Sequence, residues 1–152
     1  MRTHNHVQEK VEICEPKDWT SFDVNLTNVT AMINGRIVRY NFKHLYHIHR
    51  VYEEKRRRIQ KISKRKPKIA KMLMQKYSRR ERNRTKDFMH KLTTRIAREL
   101  KNLQSGAILE DLKGIKERVL DKSKDLNRKL SKWNARQFQF MLEYKLRWFG
   151  LP

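Results

Sequence analysis

Thr30-Ala31-Met32-Ile33-Asn34-Gly35-Arg36-Ile37-Val38-Arg39-Tyr40 reads as two β-rich runs separated by Asn-Gly. That dipeptide tolerates the positive φ angles of a two-residue hairpin turn, which makes it the strongest short hairpin signal. Just upstream, Ser21-Phe22-Asp23-Val24-Asn25-Leu26 alternates, with Phe22, Val24 and Leu26 on one side and Asp23 and Asn25 on the other. A period of two belongs to a strand with one buried face. Residues from about 21 to 41 are therefore expected to form three short antiparallel strands joined by tight turns, with Asp23 at the end of the first. Val11–Ile13 is a candidate further strand.

Beyond Tyr40 the period changes. Leu45, Ile48, Tyr52, Ile59 and Ile62 recur at spacings of three, four and seven; Met72, Leu73 and Tyr77 follow, then Phe88, Leu92, Ile96, Leu100 and Leu103. One apolar stripe per helix with cations around the rest predicts two or three amphipathic helices from about 44 to 104. Pro67 breaks the first, and Ser78 and Asn83 are cap or turn candidates for the last. Between Arg50 and Arg95 lie nineteen of the chain's 38 Lys+Arg but only four acids, Glu53, Glu54, Glu81 and Asp87. The candidate phosphate-binding residues are Arg56, Arg57 and Arg58, then Lys64, Arg65 and Lys66, then Arg79, Arg80, Arg82 and Arg84. Phosphate neutralisation of this kind is salt-dependent and largely blind to sequence. The alternative is a solvated helical face. Tyr46, Tyr52, Tyr77 and Phe88 lie in the register of a packed core, with base stacking as their other use.

After the helices, Gly106 is expected to end the preceding one. Ala107-Ile108-Leu109 is short and wholly apolar, as in a strand buried on both faces, and ends in Glu110-Asp111. A polar stretch, Lys113–Lys132, leads to an aromatic, helical ending from Trp133 to Lys145 that is rich in anchors for packing on a sheet. A helical crossover makes the strands of Asp23 and Glu110 parallel. If those strands are neighbours, the two carboxylates share one sheet edge and repel unless a cation lies between them. Mg²⁺ prefers such hard oxygen ligands. The competing reading of Asp111 is a helix N-cap.

The 152 residues suit a single domain, and the net charge of +22 calls for a polyanionic partner. No apolar run is long enough to span a bilayer and no secretory signal opens the chain, so a soluble, intracellular protein is expected. A single cysteine, Cys14, excludes an internal disulfide and a Cys-based zinc cluster. It reads as a passive core or edge residue. His44, His47 and His49 do not share one helical face, His4 and His6 lie near the start, and no Gly-rich phosphate loop is present. Trp19, Trp133 and Trp148 are most simply packing residues, with Trp148 and Phe149 expected to be partly exposed if a further module normally covers them.

Asp23-Val24-Asn25 followed by Asn28-Val29-Thr30 resembles the first catalytic motif of the TnpB (OrfB) proteins, which accompany transposons and are related to type V CRISPR effectors. Tyr77–Arg84, Asp87-Phe88-Met89-His90-Lys91, Leu109-Glu110-Asp111-Leu112, Asn127-Arg128-Lys129-Leu130, Trp133, Phe138, Tyr144-Lys145 and Gly150-Leu151-Pro152 continue the resemblance in order, from about Val11 to the last residue. The resemblance implies an α/β fold: an incomplete ribonuclease H-like (RuvC-like) domain of antiparallel hairpin strands plus a parallel strand, with a long basic helical insertion. It also implies DNA cleavage directed by a guide RNA, with DNA and RNA as partners, no membrane, and a prokaryotic, cytoplasmic, nucleoid-associated location. Carried over, the catalytic and Mg²⁺-binding residues are Asp23 and Glu110. Asp111 then positions the following helix.

The family's zinc ribbon and third catalytic Asp would follow Pro152, and none of Asp121, Asp125 or Glu143 has the context of that Asp. The family's N-terminal recognition region is also missing. The expectation is thus a piece of the family that binds nucleic acid, holds no zinc, and cleaves weakly or not at all by itself. Self-association, or a partner supplying the missing C-terminal part, is expected of its open sheet. The alternative is a non-catalytic basic nucleic-acid-binding protein.

Overall fold

The structure, a computed structural model, describes residues 11–111 and 134–152. Its first three strands are β1 (Asp18–Val24), β2 (Asn28–Ile33) and β3 (Arg36–Asn41). β1 starts three residues before the alternating run and ends at Val24, so Leu26 falls in the turn and is exposed rather than continuing the buried row of Phe22 and Val24. The Asn25 N–H donates to Asn28 O at 2.9 Å and closes that turn. At the hairpin, Asn34 (φ 48°) and Gly35 (φ 71°) both take the left-handed conformation that their residue types permit. Val29, Ala31 and Ile33 then face the core with Phe22 and Val24.

Two helices follow, α1 (Lys43–Ile62) and α2 (Pro67–Leu103). Leu45, Ile48, Tyr52 and Ile59 are buried as their spacing predicts, whereas Ile62 and Met72, near the connection between the helices, are exposed. Pro67 opens α2, where its missing N–H would have no helical partner. The helices pack antiparallel, since His44 lies against Phe88, His49 against Glu81 and Tyr52 against Tyr77. Ser78 and Asn83 neither cap nor turn; they sit on the exposed side of an unbroken helix. Packing of neighbouring Thr85 and Met89 overrides their weak helix propensity. α2 ends not at Gly106 but at Gln104, whose φ of 51° reverses the chain.

Gly106 instead lies within β4 (Ser105–Leu109), where the Trp19 ring comes so close that a β-carbon would meet it at 2.7 Å. β4 pairs in parallel with β1, Asp18 opposite Ser105 and Phe22 opposite Leu109. The mixed sheet has the order β3-β2-β1-β4. β4 is not buried on both faces: Ile108 is 53% exposed, and no described element covers its outer side. The Ala107 N–H, on the strand's free edge, donates to Pro152 O at 3.0 Å. Val11–Ile13 forms no strand, although the next residue, Cys14, donates its N–H to Gly150 O; Cys14 itself is exposed.

The last described helix, α3 (Ala135–Trp148), buries Ala135, Phe138, Met141, Leu142 and Leu146 against α2 and the inner sheet face. The Phe22 and Phe138 rings meet there at 6.3 Å. Not all its aromatic residues are anchors, because Phe140 and Trp148 fall on the opposite side of the helix and are exposed. Trp19 also stays half-exposed. Leu112–Trp133, with the expected polar stretch and Trp133, and Met1–Lys10, with His4 and His6, lie outside the described residues. No described helix is long and apolar enough to cross a membrane.

Candidate metal and nucleic-acid site

Parallel pairing of β1 and β4 carries Asp23 and Glu110 to the same end of neighbouring strands, one residue past the Phe22–Leu109 pair. Both acids line an open depression of ≈ 390 Å³, with Thr30 of β2 on one flank and Met32, Ile37 and Ile108 on its apolar floor. Side chains alternate across a strand, so Asp23 points away from the core that holds Phe22 and Val24. Its Oδ2 accepts a hydrogen bond from Asn25 Nδ2 at 2.8 Å. The rim at Glu110 is held from α3, where Gln139 Nε2 donates to the Glu110 backbone oxygen at 2.7 Å. Two hard oxygen donors facing water fit a Mg²⁺ ion that keeps most of its hydration shell. Among the described residues no group of three His, Cys, Asp or Glu side chains is gathered for a metal. The segment that Asp111 would position lies outside the described residues.

Three acids of the helical hairpin are occupied. Glu81 accepts from Arg56 and, at 2.7 Å, from His49 Nδ1; Glu53 pairs with Arg57 at 2.9 Å and Asp87 with Lys91 at 2.8 Å. Burial pushes Glu81 up, but the hydrogen bonds from Arg56 and His49 outweigh it and hold the carboxyl below its ordinary range. Arg56 is consequently half-buried and engaged inside the hairpin. Arg57, Arg58, Lys64, Arg65, Lys66, Arg79, Arg80, Arg82 and Arg84 are all exposed, the Arg84 guanidinium lying 5.9 Å from the Tyr52 ring centre. Tyr52 is buried with the half-buried Tyr77 ring beside it, Phe88 packs half-buried against Phe42, and Tyr46 is exposed. His44 rests against Phe88 and His47 lies beside Tyr46 and Arg50, on different sides of α1 from His49.

A second polar cluster joins α3 to α2. Lys145 is buried, and its Nζ donates to His90 O, Thr93 Oγ1 and Thr94 Oγ1, each at 2.7 Å. Tyr144 Oη and His90 Nδ1 are hydrogen-bonded at 3.2 Å. Burial holds Lys145 below the ordinary lysine range; His90 is lowered by burial and by the nearby charges of Lys145 and Lys86. Sequence reasoning named Lys145 only within the resemblance and missed its buried role, as it missed the structural use of Glu81. Each had a signal: a lysine in the apolar register of α3, and a single acid within the Arg79–Arg84 run.

The family model OrfB_IS605, described as "Probable transposase", matches residues 4–115. The TnpB-like protein MJ0751 of Methanocaldococcus jannaschii is 34% identical over 149 residues, an alignment covering 92% of this chain and 54% of that protein. The chain spans about half the length of that curated relative.

Proposed function

The chain belongs to the OrfB (TnpB) family of transposase-related proteins, and from that premise we propose that it is a RuvC-like, ribonuclease H-like portion of an RNA-guided DNA endonuclease. It binds nucleic acid through its cationic hairpin and carries two of the metal ligands of the nuclease centre, Asp23 and Glu110. The observation that supports this reading is the parallel β1–β4 pair, which brings an acid at or beside the end of each strand to one rim.

A bound divalent metal would supply an activated water and charge stabilisation for the leaving oxygen of a phosphodiester. The chain's own part is to orient and to bind. Asn25 fixes the Asp23 carboxylate, Gln139 holds the Glu110 backbone, and the hairpin arginines neutralise phosphates with forked donors. With two carboxylates the metal clamp is weak, so this chain alone binds DNA and cleaves it feebly or not at all.

A second reading, binding without any metal chemistry, is favoured by the lack of a third ligand among the described residues. Mn²⁺ titration followed by electron paramagnetic resonance separates the two. The nuclease lineage expects a site that Asp23→Ala removes while DNA affinity is kept; Mn²⁺ binding indifferent to Asp23→Ala and Glu110→Ala leaves only the second reading. Robust Mg²⁺-dependent cleavage by the wild-type chain, lost in Asp23→Ala, would refute the expected impairment.

A further inference from the structure

We propose that Phe140, Tyr144 and Trp148 form a base-stacking ladder for single-stranded DNA, a use that rests on the nucleic-acid reading above and adds a site to it. The three residues recur at i, i+4 and i+8 along α3, so they make one stripe. Their rings touch in sequence, with centroids 5.7 Å apart for Phe140 and Tyr144 and 5.4 Å for Tyr144 and Trp148. Phe140 is 67% and Trp148 71% exposed, while the opposite side of the helix is closed by Phe138, Leu142 and Leu146. The core therefore does not use the outer rings.

The middle ring is anchored. Tyr144 bonds to His90, and His90 forms one end of a shallow groove along α2 that is also lined by Lys91, Arg95 and Arg98. Glu99, the acid in that groove, accepts from the Tyr40 hydroxyl at 2.7 Å. A cationic track beside an aromatic stripe is the arrangement by which proteins hold single strands, phosphates on the cations and bases on the rings. A second copy of this chain is a poor occupant, since each copy carries +22. Duplex DNA keeps its base faces stacked inside and cannot offer them. RNA is disfavoured because the polar groups beside the ladder are already engaged: Tyr144 with His90, Lys145 with Thr93 and Thr94, and Arg147 with Glu143 at 2.7 Å. These three groups of α3 are not left to read a 2′-hydroxyl.

The test measures fluorescence anisotropy of labelled dT15, its abasic counterpart, the matching RNA and a 15-bp duplex, each with the full chain and with F140A/W148A. Thermal melts check that the variant folds. The expected result is that F140A/W148A, which removes two rings, binds dT15 roughly 25-fold or more weakly than the full chain. The abasic strand and the duplex bind both proteins alike, and RNA binds the wild type less tightly than dT15. Unchanged dT15 affinity in F140A/W148A, with duplex binding intact, overturns the ladder but leaves the nucleic-acid reading standing. Absence of binding to every probe by the wild type overturns both. RNA binding as tight as dT15 overturns the DNA assignment, and self-association lost in the variant with dT15 binding unaltered makes the stripe a self-interface instead.

Discussion

Lys145 donates to three oxygens, all of them neutral, from a position packed between α3 and α2. Between its lowered native pKa and the ordinary value of 10.5, the unfolded chain binds more protons than the native one. Stability therefore rises with pH across that window. Lys145→Ala removes the cation, empties buried space and leaves Thr94 and the His90 carbonyl without this donor, at a cost of about 2–4 kcal/mol. Urea unfolding at pH 8, 9 and 10 checks both points. The variant should be less stable at pH 8 and should lack the alkaline rise that this lysine contributes, whereas equal pH slopes would show that Lys145 is not the titrating group. At the depression, Asp23→Ala is expected to abolish Mn²⁺ binding without unfolding the chain, because Asp23 is exposed and supports only the Asn25 amide.

The hairpin of α1 and α2 is an element whose electrostatics run against its composition. In a segment crowded with cations, Glu81 is the acid that ties the helices together through Arg56 and His49. Its native pKa is depressed, so its contribution is complete above the ordinary value of 4.5 and is lost as pH falls through the native value. Glu81→Gln is expected to destabilise the protein by about 1–3 kcal/mol at pH 7 and to flatten the acid limb of the stability profile. Circular dichroism melts between pH 3 and 7 measure both, and an unaltered acid limb would assign it to other carboxylates. The two helices were legible from the apolar stripe and Pro67. The unbroken run through Ser78 and Asn83 was not, since those residue types favour turns locally and only contact with α1 and the sheet decides otherwise.

For the whole molecule, charge is the governing quantity. Each exposed arginine that meets a phosphate releases counterions, so replacing Arg79, Arg80 and Arg82 with Gln should reduce the log–log salt slope for duplex DNA by about 0.9 for each contact removed. Arg56→Gln should behave differently, lowering the melting temperature with little effect on the slope, because its guanidinium serves Glu81. Anisotropy titrations from 50 to 300 mM salt test the contrast. A slope that drops equally in both variants would place Arg56 at the phosphate surface after all. The outer sheet face, with Trp19, Met32, Ile37 and Ile108 exposed, is the counterpart of the core face. Composition offered no warning that Ile108, in an apolar triplet, would lie open.

Local chemistry alone determined the Asn34-Gly35 hairpin, the alternation through Phe22 and Val24, the start of α2 at Pro67 and the cationic character of the helices. These follow from φ preferences, side-chain period and charge, which are properties of neighbouring residues. The partnership of Asp23 with Glu110, 87 positions later, needed β1 and β4 to pair in parallel. The same is true of the Glu81 clasp, the buried Lys145 and the exposed aromatic stripe on α3. Each depends on which surfaces meet after the chain has crossed back on itself, and burial, which tertiary contact alone confers, decides whether a given lysine, arginine or tryptophan belongs to the core or to the solvent.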